Sequence, residues 1–133
     1  MDEEAAIKWQ AGEDPMTFHN NCTASESAAR EAMNLAGIGD AKIVKVWFSE
    51  SLPMCEFSSG IALLRMDADW YESTMDILEH LFPKVKSGGL IIVDDYCAWD
   101  GCARALHDYL SKYRRTERIR EHRGVCFLRK ESI

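Results

Sequence analysis

The sequence has no CxxC pair, no excess of positive charge, no proline- or glycine-rich tract and no apolar run that approaches membrane-spanning length. Each absence excludes something. Five cysteines (22, 55, 97, 102 and 126) are an odd number without zinc-ligand spacing, so neither a disulfide framework nor a structural zinc site is expected. A net charge of −6, from 16 basic and 22 acidic residues, argues against nucleic acid or an anionic membrane as partner. Met1 is followed by Asp2, Glu3 and Glu4, with no basic and apolar leader, and the expectation is a cytoplasmic chain with reduced thiols. With only three prolines, no linker composition and no internal repeat, the 133 residues read as one domain.

What is present is an α/β pattern. Residues 1–22 have no clean period and read as an arm or loop. A helix is expected from about residue 23, with Thr23 or Ser25 as cap and Gly37 as stop. "KIVKVWF" (42–48) reads as a β-branched and aromatic strand, and 49–60, with Pro53 and Ser58-Ser59-Gly60, as a loop. "IALLRMD" (61–67) reads as a strand buried on both faces, and "YESTMDILEHLF" (71–82) as a helix limited by Pro83. Ser87-Gly88-Gly89 is expected to turn the chain into a third strand, "LIIVD". A helix over 100–113 follows, with Asp100 as a candidate cap, and then two short strands joined around Arg123-Gly124. Strand, helix, strand, helix and a terminal antiparallel hairpin predict a mainly parallel sheet, and such sheets gather ligands at the carboxyl ends of their strands.

Two strands end there in acid: Asp67 and Asp69 after "IALLRM", Asp94 and Asp95 after "LIIV". Helix capping explains a single aspartate in such a place. Two pairs point instead to a shared cation, because adjacent carboxylates repel unless something positive or a proton lies between them. A hard divalent ion such as Mg²⁺ takes two or three of these oxygens and keeps other positions for water or substrate. The histidines (19, 80, 107 and 122) are scattered and do not compete as a ligand set. A signalling receiver domain also carries an acidic pair after a strand, but only 38 residues follow Asp95, too few for the later strands of that fold. Tyr71, Tyr96 and Trp99 are candidates for an acceptor pocket or for plain core packing. Cys97 and Cys102 read as small apolar residues.

Three further segments narrow the reading. "LLRMDADWYEST", "LFPKVKSGG" and "IVDDYCAWDGCARA" stand in the order and at the separation of the macrocin O-methyltransferase family's "LRxDxDxYxST", "LYPKxxxGG" and "IxDDYxxWxGxxxA". Upstream, "VWFSESLP" resembles its "GWFxDTLP", with Val46 in place of the usual glycine and Ser51 in place of threonine. The resemblance covers about 43–107 closely. It implies a partial class I methyltransferase (Rossmann-like) sheet, S-adenosylmethionine as methyl donor, Mg²⁺ as cofactor, and a small-molecule acceptor with a sugar hydroxyl. By matched position it implies Asp67, Asp94 and Asp95 as metal ligands, Asp69 as general base, and Trp47, Phe48 and Asp67 on the donor side. No glycine-rich strand-to-helix turn of the family's donor site occurs in the chain: Gly37 and Gly39 in "AGIGD" follow a helix instead. The chain therefore resembles the carboxyl-terminal half of such an enzyme. Two further expectations follow. One is weak donor binding by this chain. The other is an open sheet edge, closed by 42–48 pairing with 61–67 or by a second copy in a homo-oligomer. The alternative is a non-catalytic fragment that keeps a metal or partner surface.

Overall fold

A computed structural model describes residues 24–132, so the arm or loop expected over 1–22, and Thr23 as a cap, lie outside the described residues. The chain divides into two compact units, Met1–Val46 and Trp47–Ile133.

The described part of the first unit is helix α1 (Glu26–Leu35) and the segment after it. Ser25 caps α1, its Oγ accepting from the Ala28 amide at 3.1 Å. At the other end Gly37 takes φ of +76°, the Gly37 amide donates to Asn34 O and the Ile38 amide to Met33 O. That paired closure needs a left-handed residue, which glycine supplies without a Cβ clash. None of the α1 residues is buried, so caps and the Glu26–Arg30 pair at 2.7 Å support it.

The expected strand over 42–48 does not form. Residues 42–46 are irregular, Val44 and Val46 are about half exposed, and Phe48 opens a short helix, α2 (Phe48–Ser51), continued by a 3₁₀ turn, Leu52–Met54, around Pro53. Strand preference is largely a preference for a packed, paired surface, and no ladder partner among the described residues serves this segment.

The second unit holds the sheet. Its elements after α2 are β1 (Ile61–Met66), α3 (Tyr71–Leu81), β2 (Val85–Val93), α4 (Asp100–Lys112), β3 (Arg120–His122) and β4 (Val125–Arg129). The strand order is β1-β2-β4-β3, with β1 and β2 parallel and β4 antiparallel to both β2 and β3. The α/β class and the terminal hairpin are as expected. With 42–48 outside it, the sheet is mixed, with one parallel pair among the described residues. The hairpin turns on Arg123 and Gly124, both at positive φ (54° and 82°), which matches the right-handed twist of the flanking strands.

One face of the sheet makes the core. Leu64 and Met66 of β1 pair with Ile91 and Val93 of β2, which pair in turn with Leu128 and Cys126 of β4, and all six are buried. Ile77, Leu78 and Leu81 of α3 and Cys102, Leu106 and Tyr109 of α4 join the same cluster. The other face is not covered in the same way: Leu63 is 57% exposed, and Leu90 and Ile92 are half-buried. The expectation of burial on both faces of 61–67 is thus corrected to burial on one.

Ser87-Gly88-Gly89 is also not a turn before a strand but an irregularity inside one. Between Ile61↔Val85 and Leu63↔Leu90, β1 advances two residues while β2 advances five. Gly88 sits at φ +76°, and a Cβ on Gly89 would lie 2.7 Å from Val85 Cγ1 and 2.9 Å from Lys86 O, so neither position accommodates a side chain without strain.

A polar knot ties the hairpin to the end of α3. Lys130 Nζ donates to the carbonyls of Phe82, Pro83 and Val85 at 2.7–2.9 Å, satisfying oxygens freed where Pro83 ends the helix. Beside it, buried Glu117 is ion-paired with Arg115 and accepts from the Glu131 amide at 3.3 Å. Burial alone would raise the Glu117 carboxyl, but hydrogen bonds from Arg115 and the backbone outweigh it and hold the group below its ordinary value. A depressed folded-state value stabilises the fold above the unfolded value, and the effect is lost as pH falls through the folded one. Glu117→Gln is therefore expected to lower Tm clearly at pH 7, with the gap from the parent closing as pH falls below the ordinary glutamate range. Thermal melts at stepped pH check this; a gap independent of pH would contradict it.

Candidate functional site

The carboxyl ends of β1 and β2 are adjacent in register, Met66 opposite Val93, so the residues that follow them emerge side by side. After β1 the chain runs through Asp67, Ala68 and Asp69 into α3; after β2 it enters a 3₁₀ turn, Asp94–Cys97, and then α4. The four acids of the sequence reading are thereby brought to one edge.

Contacts within and between these two loops fix them. Thr74, fully buried in the first turns of α3, donates its hydroxyl to Ala68 O at 2.9 Å. Asp95 O accepts from the amides of Ala98 at 3.0 Å and Trp99 at 2.9 Å, which folds the second loop back on itself before α4 starts. Gly101, in the first turn of α4, then approaches the first loop closely: a Cβ there would be 3.0 Å from the Tyr71 amide nitrogen and 3.3 Å from Asp69 O. Neither Asp69 nor Asp100 acts as a helix cap. Trp70 and Trp99 occupy the cap positions with no side-chain cap bond, and their rings lie 5.3 Å apart. Capping, the ordinary explanation for these aspartates, therefore does not account for them.

The electrostatics show how closely the acids interact. Burial pushes the Asp95 carboxyl up, and Asp69, Asp67 and Asp94 push it further, against one hydrogen bond from the Ala68 backbone. Asp69 is pushed up by burial and then by Asp67, with Asp95 acting in the opposite direction. Asp95 Oδ2 is buried and has no hydrogen-bond partner. A buried carboxylate oxygen left in this state is costly unless a proton or a cation meets it.

One neighbour does supply positive charge. Arg65 Nη2 lies 3.0 Å from Asp67 Oδ2 and is hydrogen-bonded to Asp94 Oδ2, bridging the two strands. Among the described residues no three Asp, Glu, His or Cys side chains converge closely enough to hold one metal ion. Asp67, Asp94 and Asp95 thus share an edge and a field without yet forming a coordination sphere. The donor set, all carboxylate oxygen with one oxygen orphaned, fits a hard divalent ion in its chemistry. Sequence reasoning missed Arg65; its signal was the alternation of β1, in which Arg65 falls between inward-facing Leu64 and Met66 and so points to the face opposite the core.

On the donor side the described residues offer less. Trp47, the cap residue of α2, is 71% exposed, and Phe48 is also exposed. Asp67 is exposed at the end of β1. Around the acids, Tyr71 donates its hydroxyl to Asp108 Oδ2 at 3.1 Å beneath Arg104, and Tyr96 hydrogen-bonds His107 Nε2 at 3.0 Å. Tyr96 and Trp99 are partly buried against the core, so packing explains much of both. Cys102 is fully buried, as expected of a small apolar residue, but Cys97, read the same way from the sequence, is exposed; Cys126 is also fully buried, and burial pushes its thiol up to about 12.

The close approach at Gly101 gives a direct test of this arrangement. Gly101→Val should cost about 1–3 kcal/mol by overpacking against backbone that cannot rotate away. The amide signals of Ala68–Tyr71 should shift, while those of the β3–β4 hairpin stay in place. Nuclear magnetic resonance spectra of the variant decide the matter, and unperturbed 68–71 signals would refute it.

Comparison with known proteins adds what geometry cannot. Residues 3–129 match the family described as Macrocin-O-methyltransferase (TylF). Over 79 residues the chain is 44% identical to the 8-demethyl-8-(2,3-dimethoxy-alpha-L-rhamnosyl)-tetracenomycin-C 4'-O-methyltransferase of Streptomyces olivaceus, covering 59% of this chain and 30% of that protein. Over 108 residues it is 36% identical to the demethyldecarbamoylnovobiocin O-methyltransferase of Streptomyces niveus, covering 77% and 41%. The solved structure of the O-methyltransferase NovP superposes with a TM-score of 0.78 at 31% identity, over 92% of this chain and 52% of that one. This chain thus spans less than half the length of these two curated relatives and about half that of the solved neighbour. The match runs through both acid pairs and through almost the whole described sheet, and the chain belongs to the macrocin-O-methyltransferase family.

Proposed function

We propose that this chain forms the acceptor and metal end of an O-methyltransferase that acts on a hydroxyl of a sugar or a similar small natural product. The methyl donor in this reading is S-adenosylmethionine and the cofactor is Mg²⁺. The observation that carries it is the orphaned, buried Asp95 Oδ2 amid three further carboxylates at the carboxyl edge of the sheet. Relatives named as O-methyltransferases of glycosylated natural products support the reaction class.

In this reading Asp67, Asp94 and Asp95 would hold the ion, which would supply Lewis acidity to an acceptor hydroxyl. Asp69 takes the proton of that hydroxyl as its oxygen attacks the donor's methyl carbon, the carbon–sulfur electron pair leaving with sulfur. Its suitability as a base comes from its place: half-buried, pushed above its ordinary value by burial and then by Asp67, and held by a loop that Thr74 and Gly101 fix. Trp47 and Phe48 are the side chains assigned to the donor. Cytoplasmic location and a homo-oligomeric assembly belong to the same proposal. No helix among the described residues is long and apolar enough to cross a membrane.

A second reading keeps the metal surface without turnover. What favours it is the lack of any glycine-rich strand-to-helix turn in the chain, together with the irregular course of 42–46.

Calorimetry on the chain separates the elements of this proposal. Mn²⁺ or Mg²⁺ is expected to bind the parent, and the Asp94→Asn, Asp95→Asn double variant to lose at least about tenfold in affinity. Equal binding by both would remove these residues from the metal site. Titration with S-adenosylmethionine is expected to give no micromolar dissociation constant, that is, less than about 8 kcal/mol of binding free energy. A micromolar value would overturn the view that the donor cradle lies outside these residues.

Asp69 needs a different assay, because its role is in turnover. In an enzyme completed by a relative's amino-terminal half, Asp69→Asn should lower kcat by about 10²–10⁴-fold while metal affinity changes little. Full kcat in that variant would exclude it as the base.

A further inference from the structure

We propose that Arg65 is the built-in counter-ion of the acid cluster and competes with the divalent cation for Asp67 and Asp94, so that this one side chain sets how tightly the cluster holds metal. The inference rests on the metal reading above and goes beyond it, because it concerns a residue outside the ligand set.

Its basis is the position of a single nitrogen. Arg65 Nη2 reaches Oδ2 of Asp67 from β1 and Oδ2 of Asp94 from β2, joining the ends of two neighbouring strands as a shared cation would. Arg65 stands on the sheet face opposite the core, between buried Leu64 and Met66, and its side chain is about half exposed. A guanidinium and a divalent ion cannot both take these two oxygens, since the two positive charges would repel at contact distance. Arg65 is also an incomplete substitute: it meets two of the four acids and leaves Asp95 Oδ2, the buried oxygen, unpaired. This accounts for the lack of a three-acid convergence among the described residues, since Asp67 and Asp94 meet at Arg65 and Asp95 Oδ2 stays outside that contact. Exposed ion pairs of this kind are weak, so a divalent ion can displace the guanidinium, at some loss of affinity. The competition also keeps the edge partly neutralised when no metal is bound.

The test is Mn²⁺ binding by calorimetry to the parent chain, Arg65→Gln and Arg65→Lys at low salt, with the Mn²⁺-induced rise in Tm as a second readout. Arg65→Gln is expected to bind about three- to tenfold more tightly and to show a larger rise in Tm, while its metal-free Tm is lowered. Arg65→Lys, which keeps the charge but not the planar fork, should fall between the two. The difference should shrink in high salt, where the exposed pairs are screened. Equal or weaker binding by Arg65→Gln overturns the proposal and leaves the metal reading intact. Binding by none of the three proteins overturns the metal reading and this inference with it.

Discussion

Negative charge concentrated at the carboxyl edge of β1 and β2 is the constraint to which the rest of the site answers. Four aspartates are held there by backbone that cannot easily yield: Ala68 O is tied to the buried Thr74 hydroxyl, and Asp95 O to two amides of its own turn. Relaxation that would separate the charges would break those bonds or pull α4 off the loop that Gly101 touches. The repulsion is therefore built into the covalent and hydrogen-bonded frame, and it must be met by positive charge or by protons. A fold that maintained such an edge with no use for it would sacrifice stability without return, which is the physical reason to read it as a site.

Much of this edge was legible in the sequence because it depends on local signals of fixed period. The apolar runs of β1 and of "LIIV", the helical spacing of 71–82, the stop at Pro83 and the Arg123-Gly124 turn each specify structure within a few residues, and each lies in the kind of element expected, although β2 begins five residues earlier, at Val85, and the helix ends at Leu81. Parallel pairing of two strands then places both acid pairs together without any further information. What was not legible depended on partners distant in sequence. "KIVKVWF" has strong strand preference, yet preference alone makes no ladder. Ser87-Gly88-Gly89 carries the composition of a turn, and only the register of β1 against β2 shows three extra residues absorbed within a continuing strand.

The side chain that sequence reasoning passed over, Arg65, shows a related limit. The cation lies inside the same motif, two residues before Asp67, on what the sequence shows only as an apolar strand. Period-two alternation separates it from Leu64 and Met66 and directs it away from the core, toward the end of β2 that delivers Asp94. An ion pair between residues 29 positions apart is a tertiary fact, and it follows only once the strands are known to be neighbours.

The two faces of the sheet differ in a way that bears on how the unit persists. On the inner face, the rows Leu64–Ile91–Leu128 and Met66–Val93–Cys126 are closed over by α3 and α4, and the Lys130 and Glu117 knot locks the hairpin against the end of α3. These contacts supply one complete core, enough to hold the acid edge in place. On the outer face Leu63 is exposed and Leu90 and Ile92 are only half covered, and the free side of β1 has no ladder partner among the described residues. An apolar residue beside an unpaired strand edge is a template for further strand or helix packing. The site's charges sit at the end of this same strand, so whatever covers Leu63 would also approach Arg65 and Asp67. Completion of the sheet and the acid edge are thus coupled through β1: anything packed on this edge would also change the surroundings of Arg65 and of the two aspartates it bridges.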